Sequence, residues 1–201
     1  MAETKTASER RMGPPGSDNW HAMLDGAEDI LREEGHAELT SRRIAERIGV
    51  KQRLVYYYFR TMDDLIVDMF RRSSERDLQR LREVCQTPQS LRQLWEISYN
   101  SQDARLISEY MALSNRIPGL RAEVIRFIEE SRAIQVQAIA DTIARKQGKS
   151  KSAKAAISPE ALAIMATSLG LTLNREDQLG VSSGHAEALA VLDAFLADLE
   201  G

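Results

Sequence analysis

The sequence predicts an all-α protein of about nine helices. Glycine and proline are sparse, with 11 and 5 in 201 residues, and they fall at boundaries. Between these boundaries, apolar residues recur every three or four positions, as on one face of a helix. No run of β-branched residues is long enough for a strand, and no hairpin dipeptide lies between alternating segments.

Composition and terminal features narrow the class of protein. Apolar residues make up 43% and charged residues 28%, which is typical of a soluble globular chain. The only cysteine, Cys85, excludes an intramolecular disulfide and a CxxC site. No apolar run reaches the length of about 18 residues that a membrane helix needs, and residues 1–17 lack the apolar core of a signal peptide. We therefore expect a cytoplasmic protein without membrane contact, and a disordered tail over 1–17.

Cap residues and glycines delimit the N-terminal helices. Ser17 or Asp18 can cap the first helix, Thr40 the second and Thr61 the fourth, while Gly49 forms the turn between the second and third. The first predicted helix begins at 18 and ends before Gly35. The next three are predicted over 41–48, over 51–58 and from 62 to about 81.

The second half is also predicted to be helical. Ser158-Pro159-Glu160 combines a cap, a proline at the first helical position and an early carboxylate, which together indicate a helix start. The basic stretch 145–154 is expected to be an exposed loop. The predicted helices are 91–100, 103–116, 120–146, one that begins after Ser158, and 185–200.

The functional signal lies in residues 38–60. Four of the 11 aromatic residues are consecutive here, Tyr56-Tyr57-Tyr58-Phe59. The segment holds six basic and two acidic residues, a net charge of +4, which leaves −7 for the rest of the chain. A basic patch on an acidic protein is typical of nucleic-acid binding, and two short helices joined by a glycine turn indicate a helix-turn-helix. With Val55 and Phe59 facing inward, at least one tyrosine must face outward.

The pattern of this segment resembles the tetracycline-repressor (TetR) family of bacterial transcriptional regulators. The resemblance spans about fifty residues without a gap and is only architectural beyond them. Lys51, Arg53 and Met62 depart from the family's usual residues. The matching residues are Ala27, Leu31, Gly35, Leu39-Thr40, Ile44-Ala45, Gly49-Val50, Val55-Tyr56-Tyr57-Tyr58-Phe59 and Leu65.

This resemblance implies a homodimeric one-component regulator, a repressor of operator DNA that a small molecule releases, and it implies no cofactor or enzymatic activity. The predicted domains are a tail (1–17), a helix-turn-helix domain (18–66), a connecting helix with linker (67–89) and a ligand-binding and dimerisation domain (90–201).

Candidate DNA contacts follow from the way a helix-turn-helix docks on DNA. The N-terminal turn of its second helix, here the predicted helix 51–58, meets base edges, and hydroxyl groups bind phosphates. The predicted base-reading residues are Lys51, Gln52 and Arg53. The predicted phosphate contacts are Tyr56 and Tyr57, with Thr40, Ser41 and Arg43 from the preceding helix.

The C-terminal half offers two apolar sets, for which ordinary core packing is the alternative. One could line a pocket for a small hydrophobic effector: Trp95, Tyr99, Tyr110, Met111, Phe127, Met165 and Leu169. The other could form a two-fold dimer interface: Leu162, Met165, Leu169, Leu189, Leu192, Leu196 and Leu199.

Two other functions remain as alternatives. Gly180-Val181-Ser182-Ser183-Gly184 matches a nucleophile elbow with His185 beside it, which would make Ser182 a hydrolase nucleophile, but that elbow requires a preceding strand. A ligand-independent architectural DNA-binding protein is the second alternative. Arg10 and Arg11 could contact DNA as a minor-groove arm, although a disordered tail is the simpler interpretation. The three histidines show no metal-ligand spacing.

Overall fold

All regular structure in the described residues is α-helical. The computed structural model describes residues 13–86, 90–100, 104–147 and 158–200, and these ranges contain no strand. The predicted all-α class is therefore confirmed. The helices are α1 (Asp18–Glu33), α2 (Ser41–Ile48), α3 (Gln52–Tyr58), α4 (Met62–Cys85), α5 (Leu91–Asn100), α6 (Ala104–Ser114), α7 (Pro118–Gln147), α8 (Pro159–Gln178) and α9 (His185–Glu200).

The helices begin at the predicted cap residues. Thr40 Oγ1 accepts a hydrogen bond from the backbone N–H of Arg43, and Ser158 Oγ caps α8 in the same way. At the start of α4, Thr61 Oγ1 accepts from the Asp64 N–H while the Asp64 carboxylate accepts from the Thr61 N–H. This reciprocal pair satisfies two helix-end donors, which fixes where α4 begins.

Some predicted helix ends differ from the structure, since α4 extends to Cys85 and not to about 81, and α7 begins at Pro118 and not at 120. Two predicted irregular segments also differ. The basic stretch 145–154 was expected to be a loop, but α7 continues to Gln147, and 148–157 lie outside the described residues. Of the predicted tail, residues 1–12, with Arg10 and Arg11, also lie outside them. Residues 13–17 are not a tail, because the Gly13 N–H donates to the Tyr57 carbonyl at 3.0 Å and Ser17 caps α1.

Gly13 packs where no larger residue fits. A Cβ at this position would lie 2.3 Å from the ring of Tyr58, so only glycine allows the backbone to approach the end of α3 this closely. The segment before α1 is thereby attached to the C-terminal end of α3.

The chain divides into two compact units that differ from the predicted domains. The first comprises the described residues up to 73 together with 109–123, and the second comprises 74–108 and 124–200. Residues 109–123 join the first unit because Tyr110 packs edge-to-face on Phe70, with ring centroids 4.8 Å apart, and Glu123 binds Arg71 at 2.8 Å. Helix α4 contributes its first half to one unit and its second half to the other.

The core of the first unit fixes the orientation of the helix-turn-helix. Gly49, with φ of +71°, ends α2 in the left-handed conformation that favours glycine, and the chain then turns into α3. Val55, Tyr58 and Phe59 are buried at the centre of this unit. They pack in a core that also contains Met23, Leu24, Ala27, Ile30, Leu31, Leu39, Ile44, Ala45, Leu65, Ile66 and Met69.

The second unit has its own apolar core, which α5, α7, α8 and α9 supply. Asn174 of α8 donates its side-chain amide to the Tyr99 carbonyl near the end of α5, which ties these two helices together. The buried members of this core are Leu91, Trp95, Ile139, Leu162, Ala163, Leu173 and Leu196.

Two buried helix-interior glycines should respond in opposite ways to alanine. Glycine-to-alanine replacement inside a helix normally stabilises by about 1 kcal/mol. A Cβ at Gly170 would meet Trp95 at 3.7 Å, an ordinary contact, whereas at Gly26 it would lie 2.8 Å from Ile48 Cγ2, a methyl on a stiff β-branched side chain. We expect Gly170→Ala to raise the free energy of unfolding by up to about 1 kcal/mol, and Gly26→Ala to lower it by about 1–2 kcal/mol through overpacking.

Denaturant titration would measure both changes, since Trp20 reports on the first unit and Trp95 on the second. Adding Ile48→Ala to Gly26→Ala should remove the clash, so the double variant should lose less stability than the two single losses added together. A stabilised Gly26→Ala protein would contradict this account.

Candidate functional site

The outward face of α3 carries the residues predicted to meet DNA. Tyr56 and Tyr57 are 52% and 44% exposed, although each is a large aromatic side chain. Lys51, Gln52 and Arg53, at and just after the N-cap of α3, are exposed as well. The five residues of this face thus present positive charge, an amide and two phenols to solvent, whereas Tyr58 is buried.

Of the three phosphate contacts predicted on the preceding helix, the structure leaves Thr40 exposed and corrects the other two. Ser41 is only 4% exposed, and its hydroxyl lies between Gln52 and Tyr56 instead of facing solvent. Arg43 Nε and Nη2 donate to the two carboxylate oxygens of Glu34 at 2.9 and 2.8 Å. Ser41 therefore serves the interior of the domain, whereas Arg43, with 41% of its side chain exposed, is occupied by its ion pair with Glu34.

Acidic residues at the end of α1 compensate the charge of α2. Arg47 Nη2 binds Glu33 at 2.6 Å and Arg47 Nη1 reaches Glu34 at 3.2 Å, so Glu34 holds Arg43 and Arg47 together. The hydrogen bond from Arg43 lowers the pKa of the Glu34 carboxyl, and the same bond raises the pKa of the Arg43 guanidinium. Much of the positive charge counted from the sequence is therefore neutralised within the domain.

The remaining charge is concentrated on α3 and its flanks. In the described ranges, Lys51, Arg53 and Arg60 make no ion pair with a carboxylate, and all three are exposed. Arg42, which the sequence analysis did not select, points outward with 80% of its side chain exposed and pairs only with Glu46 one turn later. The inward spacing of Ile44 and Ile48 could have identified it, since Arg42 lies on the opposite face.

The second unit contains a cavity of about 490 Å³. No charged side chain is among its lining residues, which are mostly aliphatic or aromatic. The lining consists of Leu81, Val84, Cys85, Leu91, Leu94, Trp95, Gln135, Ile139, Leu162, Ala163, Met165, Ala166, Thr167, Ser168, Leu169, Thr172, Leu192, Phe195 and Leu196.

Three of the predicted ligand residues, Trp95, Met165 and Leu169, lie in this wall. Tyr99 stacks on Trp95, with ring centroids 5.6 Å apart, without being part of the lining. Phe127 is half-buried elsewhere on α7. Tyr110 and Met111 belong to the first unit and are not among the residues that line this cavity.

The wall also contains residues of α4 and α9, in which the sequence analysis placed no ligand contact. Polar groups in the lining are few and already hydrogen-bonded: Thr167 Oγ1 donates to Gln135 Oε1, and Thr172 Oγ1 to the Ser168 carbonyl. Burial raises the pKa of the Cys85 thiol, so this side chain remains a neutral part of the wall.

The predicted dimer residues mostly face their own chain. Leu162 and Leu196 are buried in the core of the second unit, against which Leu169, Leu189, Leu192 and Leu199 pack. Of this set only Met165 is exposed (58%), and it also borders the cavity. The leucine spacing marks the buried face of α9 because a helix buries its most apolar stripe within the chain first. The outward residues of α8 and α9 include Ile164 and Val191, with Ala186, Ala190, Ala194 and Ala197.

The other sequence motifs have simple local surroundings. Ser182 is exposed in the turn between α8 and α9, so a helix precedes it where a nucleophile elbow would need a strand. His185 directs Nε2 to Glu176 at 2.8 Å. Among the described residues, no three His, Cys, Asp or Glu side chains cluster as a metal site would require. None of the helices within those ranges is long and apolar enough to cross a membrane.

Comparison with known proteins identifies this architecture. Residues 23–69 match the family profile of bacterial regulatory proteins of the tetR family. The structure is similar to NemR of E. coli in its reduced form, with a TM-score of 0.71 at 18% identity over 87% of this chain and 96% of NemR. No curated protein sequence matches the chain.

Two further solved structures have the same fold. A protein from Rhodococcus sp., described as a TetR-family transcriptional regulator, has a TM-score of 0.67 at 20% identity over 92% of this chain and all (100%) of its own. A transcriptional regulator from Saccharomonospora viridis in complex with choline has a TM-score of 0.66 at 16% identity, covering 81% and 86% of the two chains. At such identities the likeness shows the fold.

The Glu34–Arg43 pair predicts a pH-dependent contribution to stability. A carboxyl whose pKa is lowered on folding stabilises the folded state above its ordinary pKa, and this stabilisation is lost as the pH falls through the lowered value. Glu34→Gln should therefore destabilise the protein at neutral pH, and the difference from wild type should shrink as the pH falls below about 4.5. Denaturant unfolding between pH 7 and pH 3 would measure it. In a background with both Arg43→Ala and Arg47→Ala the pH-dependent difference should disappear, because both guanidinium groups act on the Glu34 carboxylate; if it persists, another group is responsible.

Proposed function

We propose that this chain, whose residues 23–69 match the profile of bacterial regulatory proteins of the tetR family, is a homodimeric repressor that binds operator DNA and is released by a small, uncharged, apolar ligand. The observation that carries the DNA-binding part is the outward face of α3, where exposed tyrosines lie beside positive charges without carboxylate partners.

The chemistry of this face suits the two tasks of a recognition helix. Lys and Arg match the O6 and N7 acceptors of guanine, and Gln matches adenine, so Lys51, Gln52 and Arg53 would read bases in the major groove. The phenols of Tyr56 and Tyr57 would donate to phosphates. Arg42 takes the phosphate role first assigned to Arg43, because the Arg43 guanidinium is held by Glu34. Thr40 remains a candidate at the start of α2.

Selection of bound sites from a random DNA pool, followed by titrations at several salt concentrations, tests this proposal. Arg53→Ala should weaken binding to the selected operator by about 1–3 kcal/mol and change binding to scrambled DNA little. Arg42→Ala should weaken both, with the slope of log K against log salt reduced by about 1. Tyr57→Phe should weaken both without a change in slope.

Arg80→Ala is the matched control, since Arg80 is an exposed arginine of α4 in the second unit, outside the helices of the proposed dimer interface. It should leave operator affinity, scrambled-DNA affinity and the salt slope unchanged. Tight binding without any sequence preference would favour the architectural alternative. Absence of DNA binding would refute the proposal.

A dimer is proposed because one operator needs two recognition helices and because the outward row of α9 and the first part of that of α8 expose apolar residues. Val191 is 71% exposed and Ile164 is 44% exposed, beside alanines small enough to allow close helix packing. Pairing of these helices with those of a second copy would bury both rows around a two-fold axis.

Sedimentation equilibrium would test the dimer. Val191→Asp places a charge in the proposed interface, so it should give a monomer and sharply weaken operator binding while the helical content stays constant. Leu179→Asp is a suitable control, because Leu179 is equally exposed (72%) but lies just after α8, away from these rows. A wild-type monomer at micromolar concentration would contradict the proposal.

The proposed effector class follows from the cavity lining. Burial of a charge in a wall without an opposite charge carries a large desolvation penalty, whereas apolar surface gains from the transfer. Helix α4 contributes Met69 to the core of the first unit and Leu81, Val84 and Cys85 to the cavity, so a ligand could bias the arrangement of the helix. Release requires that the ligand bind the DNA-free arrangement better than the DNA-bound one.

A matched pair of probes would test the effector class. Decanol should change the fluorescence of Trp95 and lower operator affinity, whereas decanoate, which has the same chain length but carries a charge, should do so at least tenfold more weakly. Ala166→Phe fills the cavity and should abolish the decanol response; Ala112→Phe, at an exposed position of α6, should preserve it. Equal responses to the two probes would exclude an uncharged-ligand site.

A further inference from the structure

The hydroxyl of Ser41 connects two side chains of the recognition helix. Gln52 Nε2 donates to Ser41 Oγ at 2.9 Å, and Ser41 Oγ donates to Tyr56 Oη at 3.0 Å. Ser41 itself is 4% exposed, at the first position of α2. A hydroxyl can accept one hydrogen bond and donate another, so Ser41 accepts from Gln52 and donates its single proton to Tyr56.

This chain of hydrogen bonds determines what Gln52 presents to DNA. The Gln52 side chain is exposed, and without a partner its amide could rotate and exchange the positions of oxygen and nitrogen. Donation to Ser41 fixes the nitrogen on the protein side. The amide keeps its oxygen as an acceptor and its second N–H as a donor, which is the pair of groups that adenine N6 and N7 require.

The same bond orients the phenol of Tyr56. Because Tyr56 Oη accepts the proton of Ser41, its own O–H is left to donate, and a phosphate oxygen is a pure acceptor. A single buried hydroxyl therefore orders one base-reading and one phosphate-binding side chain before DNA arrives. Such ordering lowers the entropy cost of binding, which benefits the correct sequence most.

We propose that Ser41 is a positioning residue for sequence readout, which holds Gln52 in the orientation that recognises an adenine and holds Tyr56 for an adjacent phosphate. This inference rests on the proposed function, since it assigns a specificity role within the same DNA-binding face. The expected signature is a loss of base preference at one operator position without a change in the salt dependence of binding.

Ser41→Ala tests the proposal directly. The ratio of operator affinity to scrambled-DNA affinity should fall by about tenfold, with the adenine preference at one position lost and the salt slope unchanged. In a Gln52→Ala background, Ser41→Ala should lower the adenine preference no further, because Ser41 acts through Gln52. Ser41→Thr retains the hydroxyl and should restore most of the preference. Ser73→Ala, which removes another buried serine hydroxyl of the same unit, is the matched control.

The free protein provides a second measurement. In NMR spectra, the side-chain amide signals of Gln52 should shift in Ser41→Ala and also in Tyr56→Phe, which alters the far end of the chain, but not in Ser73→Ala. Signals that do not respond to Tyr56→Phe would overturn the hydrogen-bond chain even if Ser41→Ala proved too unstable to study.

The outcomes separate this inference from the function on which it rests. A wild type without sequence preference would overturn both. A selective wild type with an equally selective Ser41→Ala variant would overturn the positioning role alone. Equal weakening of operator and scrambled DNA by Ser41→Ala would do the same, because it would indicate a purely structural serine.

Discussion

Burial of Val55, Tyr58 and Phe59 is the constraint on which the proposed DNA-binding face depends. Val55 and Tyr58 of the seven-residue helix α3 are buried together with Phe59 just after it, which leaves one face of the helix for everything else. The neighbouring tyrosines, Tyr56 and Tyr57, therefore project into solvent although they have the same side chain as buried Tyr58. Gly13 covers the ring of Tyr58, since its missing Cβ allows the backbone to pack directly against that ring. Position relative to the core, and not residue type, thus determines which aromatic residues are available for binding.

Electrostatics divides the basic residues of the helix-turn-helix into two groups. Glu33 and Glu34 hold Arg43 and Arg47, so these arginines join α2 to α1 and add little to the external field. Lys51, Arg53 and Arg60 keep their full charge on an otherwise acidic protein. A domain that neutralised all its arginines would have weak long-range attraction for phosphates, and one that neutralised none would lack this inter-helix connection. The observed division satisfies both requirements.

The sequence predicted features that depend on residues close together in the chain, and it missed features that depend on contacts between separate helices. Caps at Thr40, Thr61 and Ser158 involve residues three apart, and the sequence located all of them. The partner of Arg43 lies nine residues away on another helix, so nothing local revealed that this arginine was occupied. The burial of Ser41 had a local signal, because Ser41 lies three and four residues before the buried Ile44 and Ala45 and therefore on the same face of α2. The membership of Tyr110 in the first unit depends on Phe70, which no periodicity links to it.

The two apolar sets of the C-terminal half differ from prediction for a common reason. Periodicity finds the most apolar stripe of a helix, and a single chain buries that stripe in its own core before offering anything to a ligand or a partner. Leu162 and Leu196 accordingly form core, and the cavity opens among residues such as Ala163, Ala166 and Thr167, whose small side chains leave the space unfilled. The outward alanines of α9 follow the same logic, because small residues allow close approach without creating a strongly apolar surface. In the second unit, small side chains therefore leave the cavity and the outward face of α9 open to a ligand or a partner, whereas the large apolar side chains form the core.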